Sequence, residues 1–310
     1  MNVKNPFDLY PSQEELSAWI DRLWAAEANL PATATRLNDR GERTRLGIHH
    51  MNRSSLYRFE QEGMRPFYGM WSPALKGPAP LIVHTPGYGA EPSFHPDVVG
   101  EGYNVLELSP LGYWTPSGDL NELRVSDGQN MIWPVLPNTA KDPYSIESYF
   151  GWMLNVMGAI RWAMSQPTVI PDRVSFFGTS QGGGASLLLG SIYRDHGVRC
   201  VAADEPFLTN YPLSNFRGAY DHARPGTEKI GEDQFWHNLG FVDTLTHAAR
   251  MNYPVLLTLG TSDATCPPEC IRVLFDKIDT NKILLSMKDR GHGYQYEFVR
   301  HALTWFSLYA

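Results

Sequence analysis

The chain has 310 residues, 43% of them hydrophobic and 19% charged, the composition of a globular protein long enough to bury a large core, which excludes a disordered or fibrous chain. Its 26 Lys and Arg face 33 Asp and Glu, for a net charge of -7 with no basic run, so no phosphate-tracking surface is offered and nucleic acid is excluded as a partner. The three cysteines form neither a disulfide framework nor a zinc-ligand set, and no apolar stretch reaches the roughly eighteen residues of a membrane span.

At the N-terminus, Glu14, Glu15 and Asp21 stand where an export signal would need an apolar run, so we expect a soluble, cytoplasmic protein with reduced thiols and no membrane contact. Ser12 followed three residues on by Glu15 is a capping box, which predicts a helix over 11–29. Leu16, Trp19, Ile20, Leu23 and Trp24 share one face of it. We assign it to an N-terminal helical extension, residues 1–42.

From residue 43 the pattern changes to short extended runs: 43–51, 64–72, 80–85, 104–108, 173–177, 198–203, 254–259 and 282–287. The last six are almost wholly apolar, as strands covered on both faces must be, and helical patterns over 145–164, 184–193 and 268–278 lie between several of them. Strands alternating with helices predict an α/β fold: a mostly parallel eight-stranded sheet with helices on both faces, entered through an antiparallel pair. We read residues 1–310 as a single domain. Segments 109–143 and 206–251 break the alternation and read as insertions over the carboxyl edge of the sheet, where substrate sites usually form.

One motif carries chemistry. Gly178-Thr179-Ser180-Gln181-Gly182 is Gly-x-Ser-x-Gly, a weak match alone, but an apolar strand runs into it and a helix of small residues runs out, as at the strained turn of a nucleophile elbow. Gly182, Gly183 and Gly184 each cost about 1 kcal/mol at a helix start relative to Ala, so something must need them: at such an elbow a side chain there would collide with the neighbouring strand or the substrate. A serine hydroxyl needs an imidazole base oriented by a carboxylate, and the order on such a sheet is Ser, acid, His. His292, in a glycine-flanked loop after the last strand, is the candidate base. Asp263, after the next-to-last strand, is the candidate acid, with Asp204 and Glu205 after the preceding strand as rivals. Two backbone N–H groups should hold the developing oxyanion: Gln181 supplies one, and Tyr88, in Thr85-Pro86-Gly87-Tyr88, the other, unless that segment is an ordinary Pro-Gly turn. Trp114 and Trp133 either stack on a sugar ring or pack the first insertion down.

These residues resemble the acetyl xylan esterase and cephalosporin-C deacetylase family of α/β-hydrolases. Gly178-Thr179-Ser180-Gln181-Gly182-Gly183 is similar to its nucleophile signature, Asp263-Ala264-Thr265-Cys266-Pro267-Pro268 to its acid-bearing segment, and Gly87-Tyr88-Gly89 to its oxyanion loop; Leu239-Gly240-Phe241-Val242-Asp243 echoes a further segment. Three positions depart from it: Ser109-Pro110-Leu111-Gly112-Tyr113 replaces Arg-Gly-Gln, His292-Gly293 replaces His-Glu, and Pro86-Gly87-Tyr88 replaces His-Gly-Tyr. The resemblance implies a serine carboxylesterase that deacetylates sugars or related small acyl esters without metal or other cofactor. It implies Ser180, Asp263 and His292 as triad, Tyr88 and Gln181 as oxyanion donors, a small-molecule ester as partner, and is compatible with a homo-oligomer. A peptidase or thioesterase with the same triad, or a catalytically silent binding protein on this scaffold, are the other readings.

Overall fold

The computed structural model describes residues 5–37, 54–64, 66–88, 94–109, 142–146, 148–224, 230–293 and 296–310. The described strands are β1 (Thr33–Arg36), β2 (Ser55–Glu60), β3 (Phe67–Ser72), β4 (Ala79–Thr85), β5 (Asn104–Ser109), β6 (Val169–Thr179), β7 (Val198–Asp204), β8 (Val255–Gly260) and β9 (Lys282–Met287). They form one sheet in the order β1-β2-β3-β5-β4-β6-β7-β8-β9. The pairings β1–β2, β2–β3 and β3–β5 are antiparallel, and all others are parallel. The sheet is mostly parallel and entered through antiparallel strands, as expected, but has nine strands rather than eight. The expected strand at 43–51 lies outside the described residues. β1 and β2 were not foreseen because Thr-Ala-Thr-Arg and Ser-Leu-Tyr-Arg-Phe-Glu carry too little apolar alternation, lying at the half-exposed end of the sheet.

The principal helices are α1 (Gln13–Asn29), α2 (Pro96–Gly100), α3 (Tyr149–Met164), α4 (Gln181–Ile192), α5 (Glu232–Gly240), α6 (Pro268–Lys277) and α7 (Tyr296–Tyr309). Alternation along the central strands sorts their side chains onto two faces. Val83, Phe176, Ala203 and Leu257 join one apolar cluster with residues of α1, α3 and α4, and their neighbours Ile82, Phe177, Ala202 and Leu256 join a second with residues of α2 and α7. Burying each such Leu or Phe side chain is worth about 2 kcal/mol. Both faces are therefore covered, which is why these strands read as unbroken apolar runs.

The capping box at the start of α1 is formed, Ser12 Oγ accepting from the Glu15 amide while the Glu15 carboxylate takes the Ser12 amide. Trp19 on α1 is fully buried, donating its indole N–H to the Pro143 carbonyl and packing against Phe150 and Phe241. Within 206–251, the buried Asp243 accepts from Tyr10 Oη and from the amides of Asn210, Tyr211 and Leu245. That segment is thereby tied to the N-terminal residues. Its Ala219 amide also bonds the Thr265 carbonyl at 3.0 Å, so it abuts the loop that follows β8. Among the described residues, no helix is long and apolar enough to cross a membrane.

Candidate active site

The parallel strands end side by side, and four of them deliver chemistry-bearing residues at their carboxyl ends. Ser180 follows β6 directly, Glu205 follows β7, and Asp263 and His292 lie in the loops after β8 and β9.

Ser180 has φ 58° and ψ -119°, a conformation that costs on the order of 1–3 kcal/mol for a non-glycine residue and persists only where neighbours impose it. Here its amide bonds the Asp204 carbonyl at 2.8 Å and its carbonyl accepts from Phe207 N at 2.9 Å. The glycines are required sterically. A Cβ on Gly182 would lie 1.9 Å from the Thr85 carbonyl oxygen, and one on Gly184 would lie 1.9 Å from that of Phe207. Of the two obstacles expected there, a neighbouring strand or substrate, backbone is the one present: β4 on one side and the chain after β7 on the other.

A chain of hydrogen bonds joins three residues widely separated in sequence. His292 Nε2 is 2.9 Å from Ser180 Oγ, and His292 Nδ1 is 2.8 Å from Asp263 Oδ2. The other oxygen, Asp263 Oδ1, accepts from the amides of Thr265 and Cys266 at 2.8 and 2.9 Å, which fixes the carboxylate in place. Burial opposes protonation of His292, but the hydrogen bond and charge of Asp263, with Glu205 and Asp204 behind it, raise its pKa above the ordinary histidine value.

The rival acids occupy different roles. The Asp204 carboxylate bonds the hydroxyls of Thr258 and Thr179; burial pushes its pKa up to about 6. Glu205 is fully buried and its Oε2 is 3.4 Å from His292 Nδ1, farther than Asp263. It is a near neighbour of the ring that its position in the sequence did not assign.

Gln181 opens α4, placing its amide at the helix N-terminus beside Ser180. Across from it the chain after β4 comes close at Gly87, whose Cβ direction points 3.5 Å from the Thr179 carbonyl and 3.9 Å from Ser180 Cβ. Tyr88 is the next residue, with burial raising its phenol to about 12. Tyr149, on α3, was missed by the sequence reading because no motif marks it. Its hydroxyl receives the Gln181 side-chain amide at 2.8 Å. Trp114 and Trp133 lie outside the described residues.

Among the described residues, two clusters hold metal-ligand side-chain types. Asp263, Cys266 and His292 bring one donor atom each within 4.8 Å of one another, but the first and last are bonded together and burial drives the Cys266 thiol well up, away from the thiolate a metal takes. His84, His95 and Glu107 are buried together in the second. Its ring nitrogens already lie against the carboxylate: His84 Nδ1 is 2.6 Å from Glu107 Oε2, and His95 Nδ1 bonds Glu107 Oε1.

Comparison with known proteins agrees with this architecture. The model of the acetyl xylan esterase (AXE1) family matches residues 59–309. Acetyl esterase Axe7A of Xylanibacter ruminicola is 24% identical over 238 residues, 73% of this chain and 52% of that protein, so the chain spans about half the length of this relative. Acetyl xylan esterase 1 from Thermoanaerobacterium sp. JW/SL YS485 superposes with a TM-score of 0.76 at 21% identity, over 95% of this chain and 93% of that one. The acetyl xylan esterase from Paenibacillus sp. R4 does so with 0.75 at 20% identity, over the whole of both. A puromycin hydrolase shares the α/β-hydrolase fold more distantly, at a TM-score of 0.58 and 18% identity over 81% of this chain and 38% of that one.

Proposed function

We infer, since the chain belongs to the acetyl xylan esterase family, that it is a serine carboxylesterase removing acetyl groups from sugars or related small esters. The observation that carries the reading is the continuous hydrogen-bonded chain from Ser180 Oγ through both nitrogens of His292 to Asp263. His292 Nε2 takes the hydroxyl proton as Ser180 Oγ attacks the ester carbonyl, and Asp263 stabilises the imidazolium so formed. The carbonyl oxygen becomes an oxyanion held by the amides of Gln181 and Tyr88, each such donor being worth roughly a hundredfold or more in rate. The imidazolium then gives its proton to the leaving sugar oxygen, leaving an acetyl-enzyme. Water, deprotonated by the same ring, attacks this ester, and acetate departs as Ser180 regains its proton.

Acetate release from a panel of acetylated sugars tests the reading, alongside an aminoacyl amide and a long-chain thioester. We expect turnover on the acetyl esters, and its loss in Ser180→Ala with the circular dichroism spectrum unchanged. Undiminished hydrolysis by that variant excludes the serine as nucleophile, and turnover confined to the amide or thioester reassigns the acyl group.

A further inference from the structure

We propose that Glu205 is a positioning residue for this reaction: its carboxylate anchors the His292 loop through the Gly293 amide and shares the Nδ1 side of the imidazole with Asp263. The inference rests on the triad reading above. Three features of the fold place the group there. The residue adopts φ 43°, in the left-handed region, and its amide bonds Thr258 Oγ1 at 3.1 Å, so the turn after β7 aims the side chain inward. Its Oε2 accepts from Gly293 N at 2.9 Å while standing 3.4 Å from His292 Nδ1. On the opposite side, a Cβ on Gly260 would come 2.8 Å from Glu205 Oε1 and 2.5 Å from the Arg290 carbonyl. Glycine at the end of β8 is what leaves room for both the carboxylate and the histidine loop.

An ionised carboxylate with no exposed surface is costly to keep, and an apolar side chain would fill the same space without that penalty. Its position offers a return during the reaction. When Ser180 Oγ–H passes its proton to Nε2, the ring becomes a cation, and two carboxylates face its other nitrogen rather than one; no proton moves to Glu205 in this step. The groups facing Glu205 are Asp204 at the end of β7, Asp263 and Cys266 after β8, and His292 after β9. Burial pushes Glu205 up to about 7, so its charge changes in the range where the imidazole's does. The ring's basicity then depends on whether this second carboxylate is ionised.

The test is the pH profile of kcat/KM on an acetylated sugar for wild type, Glu205→Gln and Ser180→Ala. Glutamine keeps an acceptor for the Gly293 amide but carries no charge. We expect an unchanged KM, a kcat about tenfold lower, and an acidic limb moved down by about one pH unit, because loss of a nearby negative charge makes the imidazolium easier to deprotonate. Superimposable profiles for wild type and Glu205→Gln, with Ser180→Ala inactive, overturn the role of Glu205 and leave the triad reading standing. Activity in Ser180→Ala overturns the triad reading and this one with it. Glu205→Asp, which keeps the charge but shortens its reach to the Gly293 amide, is the second variant: an acidic limb close to that of the wild type with a lowered kcat supports the role of Glu205, and a limb displaced by about one pH unit overturns it.

Discussion

Asp263 has one oxygen on the imidazole and the other on two backbone amides, so its geometry does not depend on a mobile partner. Asp263→Asn would keep most of these contacts but leave the ring in the wrong tautomer, and we expect kcat to fall about ten-thousandfold with little change in KM, read from steady-state kinetics. In the proposed mechanism His292 acts unprotonated. Because the Asp263 hydrogen bond and charge outweigh burial and raise its pKa, activity should be lost as pH falls through a value above the 6.5 of an ordinary histidine, visible as the acidic limb of kcat/KM. The convergence of Ser180, Asp263 and His292 was legible in the sequence because each follows a recognisable apolar strand on the same edge. Glu205 was read only as a rival acid; its contact with Gly293, 88 positions away, was not legible, because no local pattern encodes a contact made only when the loops after β7 and β9 meet beyond the end of β8.

Among elements, the turn joining β6 to α4 is the tightest packing in the site. Gly182→Ala places a methyl 1.9 Å from the Thr85 carbonyl oxygen, so β4 and β6 must separate. The expected cost is about 3 kcal/mol or more by chemical denaturation, at the upper end of overpacking changes. That the three glycines mark a crowded turn could be read from their cost in a helix; which backbone crowds it could not. A second tie joins β4, β5 and α2 through Glu107, with His84 and His95 against its two oxygens. Burial opposes ionisation of Glu107, but the two imidazoles outweigh it and hold its pKa at about 2. Glu107→Leu would strand two buried imidazoles and should cost on the order of 3 kcal/mol. No motif announced this cluster, since its members fall on a strand, a helix cap and a neighbouring strand.

For the molecule as a whole, the N-terminal helix is part of the main core. Trp19→Ala removes a fully buried indole from between Phe150 and Phe241, and a loss of about 4 kcal/mol is expected. The amphipathic face of this helix was plain from the spacing of its apolar residues, whereas β1 and β2, where Phe59 is the one fully buried apolar side chain, gave no period to follow. Buried titrating groups pull stability in opposite directions as pH falls: Asp204 and Glu205, raised by burial, take a proton more readily in the fold, whereas His247 and Glu107 resist one. His247 is fully buried, and burial, aided by the Arg250 charge and opposed by the bond to the Phe241 carbonyl, lowers it to about 4. The unfolded chain therefore takes up a proton below 6.5 that the folded chain refuses, and Glu107 adds to the same trend below its ordinary value of 4.5. In His247→Asn the change in melting temperature between pH 6.5 and 4, measured by scanning calorimetry, should therefore shift toward stabilisation by acid relative to the unmutated protein.

Among the described residues β9 pairs along one margin only, with β8, and every side chain on it is half-buried or exposed. The proposed base hangs from the far end of this outermost ribbon. Fraying there would disconnect the proton acceptor while the interior stays intact, so mild denaturant should silence turnover before ellipticity changes, and the protein would pass through a state that is folded yet inert.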